Sequence, residues 1–81
     1  METRKIKFVG VDDWNRPVFK VLEKGYYISD LENLFALDVS DADIKVFYSG
    51  KKLSDVLTYH GNSFDSEPEG SKLKELNFVI I

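Results

Sequence analysis

His60 is the chain's single histidine, and Ser63 and Asp65 lie just downstream of it. A hydroxyl, an imidazole and a carboxylate are the parts of a nucleophilic triad, in which the acid orients the base and the base takes the hydroxyl proton. That chemistry needs the imidazole to touch both partners. Three residues in one turn-rich loop seldom satisfy this, and no Gly-x-Ser-x-Gly elbow accompanies them. The simpler assignment is a histidine at a strand end, partly exposed or hydrogen-bonded to the loop, and a small hydrolase ranks third among the functions considered.

Acidic residues cluster at Asp38/Asp41/Asp43 and at Asp65/Glu67/Glu69. Calcium wants six or more oxygens on a tightly turned loop, and neither cluster has the EF-hand spacing, its glycine or its distal glutamate. Helix-cap acids and solvated loop charges account for both. Gly50-Lys51-Lys52 lacks the preceding glycine and following hydroxyl of a phosphate-binding loop. No catalytic residue, cofactor or metal is assigned.

Trp14 is the sole tryptophan and sits in a turn sequence, Asp12-Asp13-Trp14-Asn15-Arg16-Pro17. Asp and Asn bond nearby backbone groups, and Pro presets its own φ. Two placements compete for the indole. It folds back over the open end of the sheet and closes a small core, which the shortage of core favours, or it stands in solvent. Trp with Arg is a pairing enriched at interface hot spots, so an exposed Trp14 implies a protein partner. Asp13, Trp14, Arg16 and Tyr27 are the candidate interaction residues, Tyr27 because Tyr26 and Tyr27 point to opposite faces and an exposed tyrosine enlarges such a patch.

The elements that must hold these residues are short. Eighty-one residues, 43% hydrophobic and 14% aromatic, suffice for one domain (1–81) with a single core and a net stability of about 3–5 kcal/mol. There is no cysteine, which excludes disulfides and thiol chemistry and agrees with a reducing compartment. No run approaches the roughly 20 apolar residues of a membrane-spanning helix, and no signal-peptide pattern follows the N-terminus. A cytoplasmic location and no membrane contact follow as expectations. The net charge of −3, from 14 acids and 11 bases, argues against nucleic acid as a partner. Only Lys5, Lys7, Lys51, Lys52 and Lys74 gathered on one face would make the chain a weak nucleic-acid binder.

Alternation of Ile6 and Phe8 with Lys5, Lys7 and Val9 predicts a strand over 5–11. Strands over 18–22 and 26–28 complete an expected antiparallel meander, with breaks at 12–17 and 23–25. Ser29-Asp30-Leu31-Glu32 matches a capping box, and Leu31, Leu34 and Phe35 form a stripe, predicting a helix over 30–37. Residues 41–49 support two forms. Ser40 ahead of Asp41 and Asp43, the spacing of Ile44, Phe47 and Tyr48, and Gly50 beyond them describe a capped helix. Alternation of Ile44, Val46 and Tyr48 before Ser49-Gly50 describes a strand and turn. Cap chemistry favours the helix. Strands over 55–60 and 73–80 follow, the last turning wholly apolar at Val79-Ile80-Ile81, a pattern suited to a central, buried strand.

The stretch "DIKVFYSGKKLSD" (43–55) and the hydrophobic final strand resemble ubiquitin-like domains, a β-grasp alternative to the fold. A third strand and a short helix stand where that fold has a long helix, and the apolar terminus is not a modifier's tail. More of the chain, "GVDDWNRPVFK" (10–20), "GYYISDLENLF" (25–35) and "LTYHGNSFDSEPEG" (57–70), resembles a group of small, uncharacterised bacterial proteins found on plasmids and integrated conjugative elements. That resemblance implies a helix near 40–50 and carries no assigned activity. The expectation is a small α+β domain, non-enzymatic, acting as an accessory or protein-interaction module of a bacterial mobile element. Its protein partner is unknown.

Overall fold

The computed structural model describes residues 2–81. Five strands, β1 (Glu2–Val11), β2 (Pro17–Val21), β3 (Tyr27–Asp30), β4 (Leu57–Gly61) and β5 (Leu76–Ile80), form one mixed sheet. Two helices, α1 (Asp41–Tyr48) and α2 (Leu53–Val56), lie between β3 and β4. The class is α+β. The strand order is β4-β3-β2-β1-β5, with β1 antiparallel to β2 and parallel to β5.

Period-two alternation sends Ile6 and Phe8 of β1, Phe19 and Val21 of β2, and Ile28 of β3 to one face. Ile44 and Tyr48 of α1, Leu53 of α2 and Phe78 of β5 close the core over that face. Phe19 is its centre, meeting Phe8 and Tyr48 edge-on with both centroid separations at 5.7 Å. Edge-to-face packing is the geometry the ring quadrupoles favour.

On the reverse face, Val18 lies opposite Ser29 and Ser29 opposite Thr58. The segment after β4 folds across this end: a Cβ added at Gly10 would stand 3.4 Å from the Phe64 ring, the Phe64 carbonyl meets His60 Nε2 at 2.8 Å, and Val18 and His60 are fully buried. The same segment then runs back along the outer edge of β4. The Tyr59 amide donates to the Ser71 carbonyl at 3.0 Å, and Thr58 bridges Lys72.

Residues 30–37 are not helical. Ser29 belongs to β3, paired with Val18 and Thr58, so its backbone is committed to the ladder and cannot open a helix. Asp30 caps the following turn instead, with Oδ1 accepting from the amides of Glu32 and Asn33 at 2.9 and 3.2 Å. The chain is then drawn aside by a tertiary bond from the Phe35 amide to the Asn15 carbonyl at 2.9 Å. Of the expected stripe, Leu31 and Leu34 are exposed, while Phe35 packs on Phe47 and Tyr48.

The last strand also departs from its expected place. β5 spans 76–80 and lies at a sheet edge, not at its centre, with Val79 and Ile81 each 48% exposed. Residues 53–56 form α2, so the strand expected over 55–60 begins only at Leu57. Between the alternatives for 41–49 the helix holds: the Ser40 hydroxyl accepts from the Asp43 amide at 3.1 Å, and Gly50 follows with φ 77°.

Candidate functional site

The β1–β2 turn is organised by Asp12, a buried residue. Its backbone accepts from the Asn15 amide at 2.9 Å and donates to the Arg16 carbonyl at 3.0 Å. Its Oδ1 accepts from the amides of Trp14 and Arg16 at 3.0 and 2.9 Å. Its Oδ2 accepts from Arg16 Nε at 2.7 Å. Burial alone would raise the Asp12 carboxyl. The backbone and side-chain bonds from Arg16, the Trp14 amide and the Arg16 charge outweigh it and hold the group below the usual carboxylate range.

Asn15 takes the left-handed conformation, φ 63°, which Asn tolerates better than most side chains. Its Nδ2 donates to the Phe35 carbonyl at 2.9 Å, returning the bond that the Phe35 amide makes to Asn15. The turn is therefore clamped from within by Asp12 and from outside by the 31–40 segment.

On this rigid frame Trp14 is 68% exposed, with the Arg16 guanidinium 6.0 Å from its ring centroid. The indole does not fold over the sheet end. Pro17 and Val18, further along the same stretch, are fully buried, whereas the indole stays in solvent. Beside the indole is a hollow of about 140 Å³, bordered among others by Asp13, Arg16, Phe64, Asp65 and Glu67. Asp13, Asp65 and Glu67 are exposed and make no ion pair within the described residues. A cation set against an indole face and flanked by carboxylates is stabilised by both.

Of the four candidate residues, Asp13, Trp14 and Arg16 share this turn. Tyr27 does not. It pairs with Lys20 at the far end of β2, is half-buried like Tyr26, and has Lys20 Nζ 6.0 Å from its ring. Asp12 and Asn15, which set the geometry, went unselected; the Asp-x-x-Asn turn chemistry was the available signal. Leu34 is 62% exposed, one residue from the Phe35 backbone that holds Asn15.

The triad ingredients stay apart. His60 is fully buried, with Nδ1 3.0 Å from Ser29 Oγ and Nε2 2.8 Å from the Phe64 carbonyl. The carbonyl can only accept, so Nε2 carries the proton and Nδ1 accepts from Ser29. Ser63 Oγ instead meets Ser66 Oγ at 3.0 Å. Both imidazole nitrogens are occupied by structure. The basic residues are also divided by the sheet: Lys5 and Lys7 alternate with core residues of β1 and face away from the helices, whereas Lys51 and Lys52 lie in the α1–α2 turn on the helical side. Among the described residues, no cluster of three or more histidine or acidic side chains is arranged to hold a metal ion, and no helix is long and apolar enough to cross a membrane.

No protein-family model matches the chain, and neither the curated proteins nor the solved structures yield a significant match.

Proposed function

We propose that this chain is a non-enzymatic accessory domain, acting through protein contact at the Asp12–Pro17 turn, in the setting of a bacterial mobile element. The observation that carries the proposal is Trp14, 68% exposed on a turn whose backbone is fixed by Asp12. An apolar anchor carried on a preorganised backbone costs little backbone ordering when a partner covers it. Interface anchors are enriched in tryptophan and arginine for that reason and for their contact area. The carboxylates of Asp13, Asp65 and Glu67 around the hollow suit a partner that brings a lysine or arginine side chain to the indole.

The test has two readings. Acrylamide quenching of Trp14 fluorescence should approach that of a free indole. Affinity capture from bacterial cells, with the tagged wild-type domain and Trp14→Ala run in parallel, should retain a protein that the variant loses. A shielded indole, or identical captured sets, would remove the proposal.

A further inference from the structure

The two edges of the sheet are treated differently. The outer edge of β4 is accompanied by the 69–72 segment, through Tyr59–Ser71 and the Thr58–Lys72 bridge. Among the described residues, the outer edge of β5 has no neighbouring strand. The Ile81 amide donates inward to the Ile6 carbonyl at 2.9 Å, so by the period of two the amides and carbonyls of Phe78 and Ile80 point outward. Proteins protect such edges with lysine, proline, bulges or covering loops. Residues 76–81 contain no charged residue and no proline, and Val79 and Ile81 stand exposed.

Above this edge, on the helical side, runs a groove of about 310 Å³ between α1 and β5, lined by Lys45, Tyr48, Lys51, Leu53, Phe78 and Ile80. Lys45 and Lys51 are exposed and make no ion pair within the described residues. On the opposite face, Lys5 lies beside Val79 in register and is likewise unpaired. The free edge is thus uncharged along its length, with lysines on both sides.

From this we infer that the β5 edge docks an acidic, extended segment of another protein, which adds to the sheet as a further strand. Backbone bonds to Phe78 and Ile80 supply the strand pairing, and alternate acidic side chains reach Lys45 and Lys51 on one face and Lys5 on the other. A second copy is a poorer occupant. Antiparallel pairing of two β5 strands about a two-fold axis would set both helical layers on the same side. Lys45 and Lys51 of each copy would then converge over the seam, with Lys5 of each beneath, and like charges so placed repel. This surface shares no residue with the Trp14 turn, so either assignment stands or falls alone.

The test uses the full chain and a capped peptide of alternating glutamate and valine, about eight residues long. Amide spectra should show the Phe78 and Ile80 resonances shifting and their hydrogen exchange slowing on peptide addition, with affinity falling as salt rises. A lysine–valine peptide of equal length should not bind. The exposed double variant K45E/K51E, its fold checked by the unchanged remainder of its amide spectrum, should lose at least about tenfold in affinity for the acidic peptide. Equal binding of both peptides, no protection of Phe78 and Ile80, or a concentration-dependent dimer protecting those same amides would overturn the inference.

Discussion

The Tyr48 hydroxyl donates to Asp30 Oδ2 at 2.6 Å in the buried interior, tying the end of α1 to the end of β3. Asn33 Nδ2 donates to the same oxygen at 2.8 Å, so one carboxylate gathers the helix, the strand and the turn between them. Burial pushes the Tyr48 phenol well above its ordinary range, and the bond to Asp30 and its negative charge push it further. A group raised in the folded state contributes stability that is complete below its unfolded value, about 10 for tyrosine, and is lost as the pH climbs towards the folded value. Tyr48 should therefore stay un-ionised in a spectrophotometric titration until the protein unfolds. Tyr48→Phe should cost about 2 kcal/mol at neutral pH, the magnitude of a buried hydrogen bond to a charged group, and should flatten the alkaline fall in stability.

Asp12 works at the other end of the pH scale. Its carboxyl is lowered in the folded state, so its contribution is complete above the unfolded value of about 3.9 and disappears as the pH falls through the folded one. Denaturant melts below about pH 4 should show this loss. Asp12→Asn should remove that part of the acid limb and cost about 1–2 kcal/mol at neutral pH, because the Arg16 guanidinium loses its charged acceptor. The Trp14 emission should gain mobility in the same variant, seen as a lower anisotropy.

His60→Ala should act as a structural lesion. It strands the buried Ser29 hydroxyl and the Phe64 carbonyl, to which the imidazole is bonded at 3.0 and 2.8 Å, and leaves a cavity. A loss of about 2–3 kcal/mol is expected in chemical denaturation. Amide exchange should quicken most in residues 61–72, the segment whose packing the imidazole secures.

Gly61 occupies φ 131°, and a Cβ there would collide with the Ser66 side chain. Gly61→Ala should cost about 1–3 kcal/mol, from strained backbone and the displaced loop together. Gly61→Ala combined with Ser66→Gly should cost less than the sum of the two single changes, since the second substitution clears the space although the strain in φ remains. Thermal melts of the three variants measure that coupling.

Much of the local architecture could be read from residue order. Ile6 and Phe8 alternate with Lys5 and Lys7 because β1 has one face in the core and one in water. The helix at α1 was legible because Ser40 and Asp43 meet within one turn, an interaction complete inside four residues. The 29–32 capping box failed for the opposite reason. Asp30 supplies the cap instead, because the Ser29 backbone had partners in Val18 and Thr58, its hydroxyl one in His60, and Phe35 one in Asn15.

The candidate site divides along the same line. Turn-forming Asp12 and Asn15 and the indole between them lie in one hexapeptide, so a turn carrying Trp14 is visible in the chain itself. Whether the indole enters the core depends on how distant elements fill that core, and Trp14 remains 68% exposed. The wholly apolar ending similarly records β-forming chemistry, while its position at an open edge depends on which strands pair with β1. Short-range hydrogen bonding and side-chain period act between neighbours and are written into the order of residues; occupancy of the core, strand order and the meeting of Asn15 with Phe35 arise from competition among distant parts of the chain for the same space and the same partners.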